Sequence, residues 1–191
     1  MKVLYIDATV RENSRTAVLG ELVLEKLGGN VTRVKLCEYD FPRTNAAYLA
    51  KRDKACAAGD FSDKMFLHAR LFAEADVIVV AAPFWDMSFP AALKQFFEEI
   101  TVAGLTFECR PDGSFGGLCK ACKLYYVTTA GGTVFSEEYG FGYVKALARD
   151  FYGIGECVLF KAEGLDIWGA DVESIMSAAK AEISNYLCKG T

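Results

Sequence analysis

Histidine is nearly missing from this chain: His68 stands alone among 191 residues. A Ser-His-Asp or Cys-His mechanism therefore has few possible forms. His68 falls on a predicted helix near Met65 and Leu71 and reads as structural. Long hydrophobic runs are missing too. No stretch of about 18 apolar residues occurs, which excludes a transmembrane helix, so no membrane partner is expected. Neither sign of charge dominates: the net charge is −4 and Lys and Arg form no cluster. That balance argues against nucleic acid as a partner. The opening MKVLYID enters a strand directly, without the layout of a signal peptide. Cysteine occurs in an odd number, seven, scattered through apolar segments. Such usage fits a reducing cytoplasm better than a disulfide framework, and a cytoplasmic location is expected.

What is present is apolar, 52% of the residues, enough at this length for one domain with a substantial core over residues 1–191. KVLYI at 2–6 reads as a buried strand, and Ser14 stands at a helix N-cap position. The helix from Arg15 to Leu27 is expected to bury Val18, Leu22, Leu24 and Leu27 before Gly28-Gly29 stops it. VTRVKL alternates like a strand beside the first, and a loop runs from Cys37 to Asn45. Ala46 to Ala58 has weak helical character, and Gly59 breaks it. Ser62 is expected to cap a helix to Ala75 with Phe66, Leu67, Leu71 and Phe72 as its stripe. VIVVAA, KLYYVTT and CVLFKAEG follow as strands. Helices are expected at Phe141 to Tyr152 and Asp171 to Tyr186, and Pro111-Asp112-Gly113 marks a turn or short hairpin. Strands alternating with helices argue an α/β sheet covered on both faces.

The chain turns on residues 77–107, VIVVAAPFWDMSFPAALKQFFEEITVAGLTF. A β-branched apolar run ends in Pro83, Phe84, Trp85, Asp86 and Met87, and Pro90 then opens a helix with Leu93, Phe96, Phe97 and Ile100 on one side. Ligands of open parallel sheets bind beyond the carboxyl ends of the strands, so this aromatic loop is a platform for a flat ligand. A helix-end cover is the plain alternative. The segment resembles the flavin-binding loop of the FMN-dependent NAD(P)H:quinone oxidoreductase and NADH-azoreductase family. The resemblance is carried by the strand, Pro83, two large residues, an aromatic, Leu93-Lys94 and the closing Ala103-Gly104-Leu105-Thr106-Phe107. YVTTAGG and the later AEG at 162–164 extend it over nearly the whole chain, most weakly between Asn45 and Asp63. It implies a flavodoxin-like doubly wound parallel five-stranded sheet, order 2-1-3-4-5, with helices on both faces.

A second loop, Thr9 to Thr16, lies between the first strand and the first helix. Backbone N–H groups at a helix start, with hydroxyls and an Arg, make an anion site. Thr9, Ser14, Arg15 and Thr16 are therefore candidate phosphate ligands, where flavodoxin-like folds place the FMN phosphate. The same spacing matches the Cys-x5-Arg loop of small tyrosine phosphatases. Thr9 stands where their nucleophile would be, and a Thr hydroxyl without a base is a poor nucleophile. A phosphorelay receiver fails similarly, with Ala82-Pro83 where the accepting Asp should close the third strand. Cys119-x-x-Cys122 precedes a strand instead of opening a helix, so it lacks the dipole that activates a redox pair. A zinc site would need two more ligands, and no metal is expected. Glu98-Glu99 and Glu137-Glu138 are adjacent pairs that do not face each other on a helix, so neither reads as an acid/base dyad.

The resemblance implies further residues. Pro83, Phe84, Trp85, Asp86 and Met87 would contact the isoalloxazine, and Thr129, Ala130, Gly131 and Gly132 its pyrimidine side, where glycine lets backbone amides approach. Trp85, Phe89, Phe135 and Tyr139 would wall a pocket shared by NAD(P)H and substrate. A homodimer with FMN at its interface is implied, as is a two-step relay from NAD(P)H to quinone or azo compound. No side-chain catalyst is expected, because the flavin carries the chemistry. Two departures stand out: Asp86 replaces the family's usual Asn, which removes a donor toward the flavin, and Thr133 follows the Gly-Gly pair where a His or aromatic is common. A non-catalytic flavin- or phosphometabolite-binding module is the alternative from another functional class.

Overall fold

Period-2 alternation along the central strands divides the core into two layers. In β3 (Val77–Ala81), Val77, Val79 and Ala81 face one way, and Ile78 and Val80 face the other. The run is apolar throughout because both faces are covered. β1 (Lys2–Asp7) and β6 (Lys123–Thr129) alternate likewise, with Val3, Tyr5, Tyr125 and Val127 in one layer and Leu4, Ile6, Leu124 and Tyr126 in the other. These coordinates are a computed structural model, in which residues 1–188 are described.

Helices α1 (Arg15–Leu27) and α6 (Val172–Cys188) close the first layer. α3 (Leu67–Glu74), α4 (Ala91–Ile100) and α5 (Tyr143–Ala146) close the second. α4 buries Leu93, Phe96, Phe97 and Ile100, the face expected from its spacing. α1 follows expectation in part. Leu24 is buried and Leu22 and Leu27 pack partly buried against the same layer, whereas Val18 is exposed and the fully buried line is Thr16, Leu19, Gly20, Val23 and Leu24. Nor does Ser62 cap a helix. It is held by Asp60, whose Oδ1 accepts from its N–H at 3.0 Å, and Asp63 caps the short 3-10 turn Lys64–Phe66 that leads into α3. α2 (Ala46–Ala58) is capped by Asn45 and ended by Gly59 at φ 63°, and it buries no residue fully. The region 138–151 is one continuous helical stretch that begins ahead of the expected Phe141, with the four-residue α5 flanked on both sides by π-helical segments.

The sheet also contains β2 (Asn30–Lys35) and β7 (Glu156–Ala162). All its pairings are parallel, in the order β2-β1-β3-β6-β7. The expected order 2-1-3-4-5 is corrected as a count along the chain. β4 (Phe107–Cys109) and β5 (Phe115–Gly117) leave the sheet and pair with each other as an antiparallel hairpin. The sequence reason is the Pro111-Asp112-Gly113 turn: Gly113 adopts φ 84°, and its N–H reaches Arg110 O at 3.0 Å. Asp7, Ala81, Val127 and Phe160 align across the register, so the carboxyl ends of four strands meet at one edge.

Candidate cofactor site

At that edge lies a cleft of about 380 Å³. Its first wall is the head of α1. Ser14 is the N-cap, its Oγ accepting from Ala17 N at 3.2 Å. The N–H groups of Arg15 and Thr16 open the helix, where no intrahelical acceptor exists, and the helix dipole adds positive potential there. Arg11 and Arg15 both line the cleft, so its helix end carries two cations. Thr16 is buried and shares a 2.6 Å hydrogen bond with the Thr129 hydroxyl, which fixes the helix head against β6.

The second wall is the aromatic loop. Pro83, Phe84 and Trp85 line the cleft, and Phe84 N donates to Thr129 O at 2.9 Å. Trp85 and Ser88 exchange backbone bonds of 3.1 and 2.8 Å across Asp86 and Met87, which both have positive φ, 50° and 67°. Two left-handed central residues make a type I′ turn, which favours Asn-Gly. An Asn at position 86, as the resembled family has, would therefore suit the backbone as well as any ligand. Met87 is half exposed, and an L-residue in this conformation costs roughly 1–2 kcal/mol. Met87→Gly is expected to raise stability by about 0.5–1 kcal/mol, net of the entropy glycine adds to the unfolded chain. Urea denaturation measures it, and a lower stability would mean the thioether makes contacts that outweigh the strain.

The third wall comes from the loops after β6 and β7, which are zipped together. Ala130 N donates to Ala162 O at 2.9 Å, Gly164 N to Gly132 O at 2.9 Å, Leu165 N to Ala130 O at 3.2 Å and Asp166 N to Gly131 O at 2.8 Å. Asp166 also reaches over to α1, where its Oδ1 accepts from Arg15 Nη1 at 2.9 Å.

Of the residues singled out from the sequence, Ser14, Arg15, Thr16, Pro83, Phe84, Trp85, Thr129, Ala130 and Gly131 line this one cleft. Others lie elsewhere. Thr9 is buried, with its N–H donating to Asp7 Oδ1 at 2.8 Å. Asp86 and Met87 sit at the turn tip in solvent, and Gly132 lies just past the lining. Phe89 turns into the core, its ring 6.3 Å from Phe97 and 5.7 Å from Tyr143. Phe135 is 87% exposed and Tyr139 is exposed, tied to the aromatic loop by a bond from Ser88 Oγ to Tyr139 O. Arg11, Asn13, Leu165 and Asp166 also line the cleft, and they were not singled out. Leu165 and Asp166 directly follow the AEG at the end of β7, so the strand-end rule applied to the fifth strand points to them.

His68 and Cys119, read from the sequence as structural, are placed as follows. His68 is buried on α3, and its Nδ1 lies 2.9 Å from Glu99 Oε1, which also accepts from Tyr39 OH at 3.2 Å. Burial, with Glu99 beside it, pushes the Tyr39 hydroxyl up to about 12. Burial likewise pushes the Cys119 thiol up to about 12.

The chain matches the flavodoxin-like fold family over residues 1–187. It is 33% identical over 187 residues to the FMN-dependent NADH:quinone oxidoreductase 2 of Clostridium acetobutylicum, covering 92% of each chain. It is 32% identical over 193 residues to the FMN-dependent NADH:quinone oxidoreductase of Coprothermobacter proteolyticus, covering 95% of each. Among solved structures, an azoreductase from Bacillus anthracis superposes with a TM-score of 0.83 over 99% of both chains at 22% identity. A second B. anthracis structure, an FMN-dependent NADH-azoreductase in complex with FMN, superposes with a TM-score of 0.81 over 99% of both chains at 19% identity. With three walls converging at one strand edge and this likeness along nearly its whole length, the chain belongs to the flavodoxin-like fold family that includes the FMN-dependent NADH:quinone oxidoreductases.

Proposed function

We propose that this protein is an FMN-dependent oxidoreductase that takes two electrons from NAD(P)H and delivers them to quinones or azo compounds in a ping-pong cycle. One observation carries the reading: a single cleft is lined together by the head of α1 with Arg11 and Arg15, by Phe84 and Trp85, and by the Thr129–Gly131 loop. The residues fit the group. Arg11, Arg15 and the α1 amides offer charge and donors to a phosphate monoester, and Phe84 and Trp85 offer a flat apolar surface to a tricyclic ring. One phosphate cradle, with no G-x-G-x-x-G after β1, favours FMN over FAD. When bound, FMN supplies the hydride and electron chemistry.

The chain's own part is to bind, orient and cover. Ser14, Arg15 and Thr16 anchor the phosphate, the zipped loops at 130–132 and 164–166 present backbone to the ring edge, and Trp85 shields it. Asp86 carries its charge at an exposed turn tip, where water screens its effect on the ring. Purified protein reconstituted with FMN is expected to oxidise NAD(P)H with a quinone as acceptor and to give parallel double-reciprocal lines. A protein that binds FMN without turnover would instead be a binding module.

The same reading includes a homodimer in the cytoplasm. Trp168, two residues past the cleft-lining Asp166, is 98% exposed, and Phe135, Tyr139, Ile167 and Met87 are exposed as well. Aromatic surface of this extent calls for a cover, and a second copy would supply it. Light scattering is expected to give twice the chain mass, and Trp168→Glu to shift it toward the monomer. A monomeric, fully active wild-type protein would contradict the assignment.

A further inference from the structure

The geometry points to Asp166 as a positioning residue that holds the Arg15 guanidinium for the cofactor's phosphate and thereby sets the preference for a phosphorylated flavin. The inference rests on the reading above, in which the head of α1 receives that phosphate.

Arg15 is the first residue of α1, and its long side chain is 42% exposed. An arginine so placed samples many rotamers, and ordering it on ligand arrival costs entropy. Here the side chain is already ordered from across the cleft. Nη1 donates to Asp166 Oδ1 at 2.9 Å and to Leu165 O at 3.4 Å. The guanidinium carries five N–H donors in a rigid fork, and both contacts use one nitrogen. Nε and Nη2 are therefore the donors a phosphate would take, with the fork held in one plane.

Asp166 is itself fixed. Its N–H donates to Gly131 O at 2.8 Å, and its carboxylate packs on Gly131, where an added Cβ would lie 2.4 Å from Oδ2. Gly131 thus leaves the space the carboxylate occupies. The Thr16–Thr129 bond ties the same helix head to the same pair of loops. Helix head and loops form one frame, with Asp166 and Arg15 bridging it at the surface.

A carboxylate near a phosphate also repels it, and the two effects oppose each other. The Asp166 side chain is 67% exposed, so solvent and salt screen the repulsion. The contact to Arg15 is a direct hydrogen bond of 2.9 Å, and its orienting effect is inferred to exceed the screened repulsion.

The test is titration of the flavin-free full chain with FMN and with riboflavin, followed by flavin fluorescence. Riboflavin has the ring and ribityl chain without the phosphate. Asp166→Ala is expected to weaken FMN by about five- to tenfold, the scale of immobilising one long side chain. Asp166→Asn keeps an oxygen acceptor and is expected to stay within about twofold of wild type, with riboflavin unchanged in both variants. Tighter FMN binding by both variants would overturn the inference, because the carboxylate would then be a competing anion. Equal losses for FMN and riboflavin would overturn it too, leaving Asp166 a loop brace. Arg15→Ala separates the two levels. If that variant weakens FMN while Asp166→Ala does not, only the positioning role falls; if Arg15→Ala changes nothing, the phosphate reading falls with it.

Discussion

Arg15→Ala is expected to weaken FMN binding by about 1.5–3 kcal/mol, roughly ten- to a hundredfold, the scale of a lost charge-assisted hydrogen bond. The loss has two parts. The phosphate loses a guanidinium partner, and Asp166, whose Oδ1 is 2.9 Å from Arg15 Nη1, loses its counter-ion and stays beside the phosphate as an uncompensated charge. Added salt should narrow the difference from wild type, since the site opens to solvent. The backbone donors at the α1 head remain, so binding is weakened without being abolished. Fluorescence titration measures the change. A dissociation constant unaltered at low salt would remove Arg15 from the site.

Gly117→Ala is expected to destabilise the fold by about 3 kcal/mol, the upper range for overpacking. Gly117 ends β5, and a Cβ there would lie 2.1 Å from Gly153 N and 2.2 Å from Tyr152 C. Those are backbone atoms that cannot rotate away. Gly153 holds φ 77°, and Phe115 stacks on Phe151 at 4.5 Å, so the hairpin and the turn after α5 are pinned where they touch. Relief requires lifting the β4–β5 hairpin, which breaks the ring contacts of Phe107 and Phe115 with Phe151. Gly155→Ala is the control. Nothing lies within 4 Å of its Cβ position, and an added methyl there should be neutral or stabilise by up to about 1 kcal/mol through the unfolded chain. Equal denaturation midpoints for the two variants would show that the hairpin moves freely.

How much of this was legible in the sequence depends on the kind of signal. The central strands were legible because burial on both faces leaves uninterrupted apolar runs such as VIVVAA and KLYYVTT. The Ser14 cap was legible because a hydroxyl before a periodic stretch has one common use, and its Oγ does accept from Ala17 N. The Pro-Asp-Gly turn was legible, but the sheet bookkeeping it changes was not, because three-residue strands carry no periodicity of their own. The buried stripe of α1 was legible only in part: Leu24 is buried as expected, and Val18 is exposed. Its apolar residues at 18, 19, 22, 23, 24 and 27 admit two faces, and only packing against β1 and β3 selects Leu19 and Val23.

The cleft was half legible. Residues at strand ends within recognisable motifs stood out, and the strand-end rule reaches Asp166 just after β7, but its pairing with Arg15, 151 residues away in sequence, is encoded by no local pattern. Phe89 meets a similar limit. An aromatic beside a proline-flanked loop resembles a pocket wall, yet the turn at 85–88 sends it inward toward Phe97.

The central claim is that this cleft holds FMN, and the visible absorption spectrum of the protein as purified, without added flavin, tests it most directly. Flavin bands that survive desalting, with FMN identified by mass after heat release, are the predicted result. A desalted protein without flavin bands, or one that releases FAD, would contradict it.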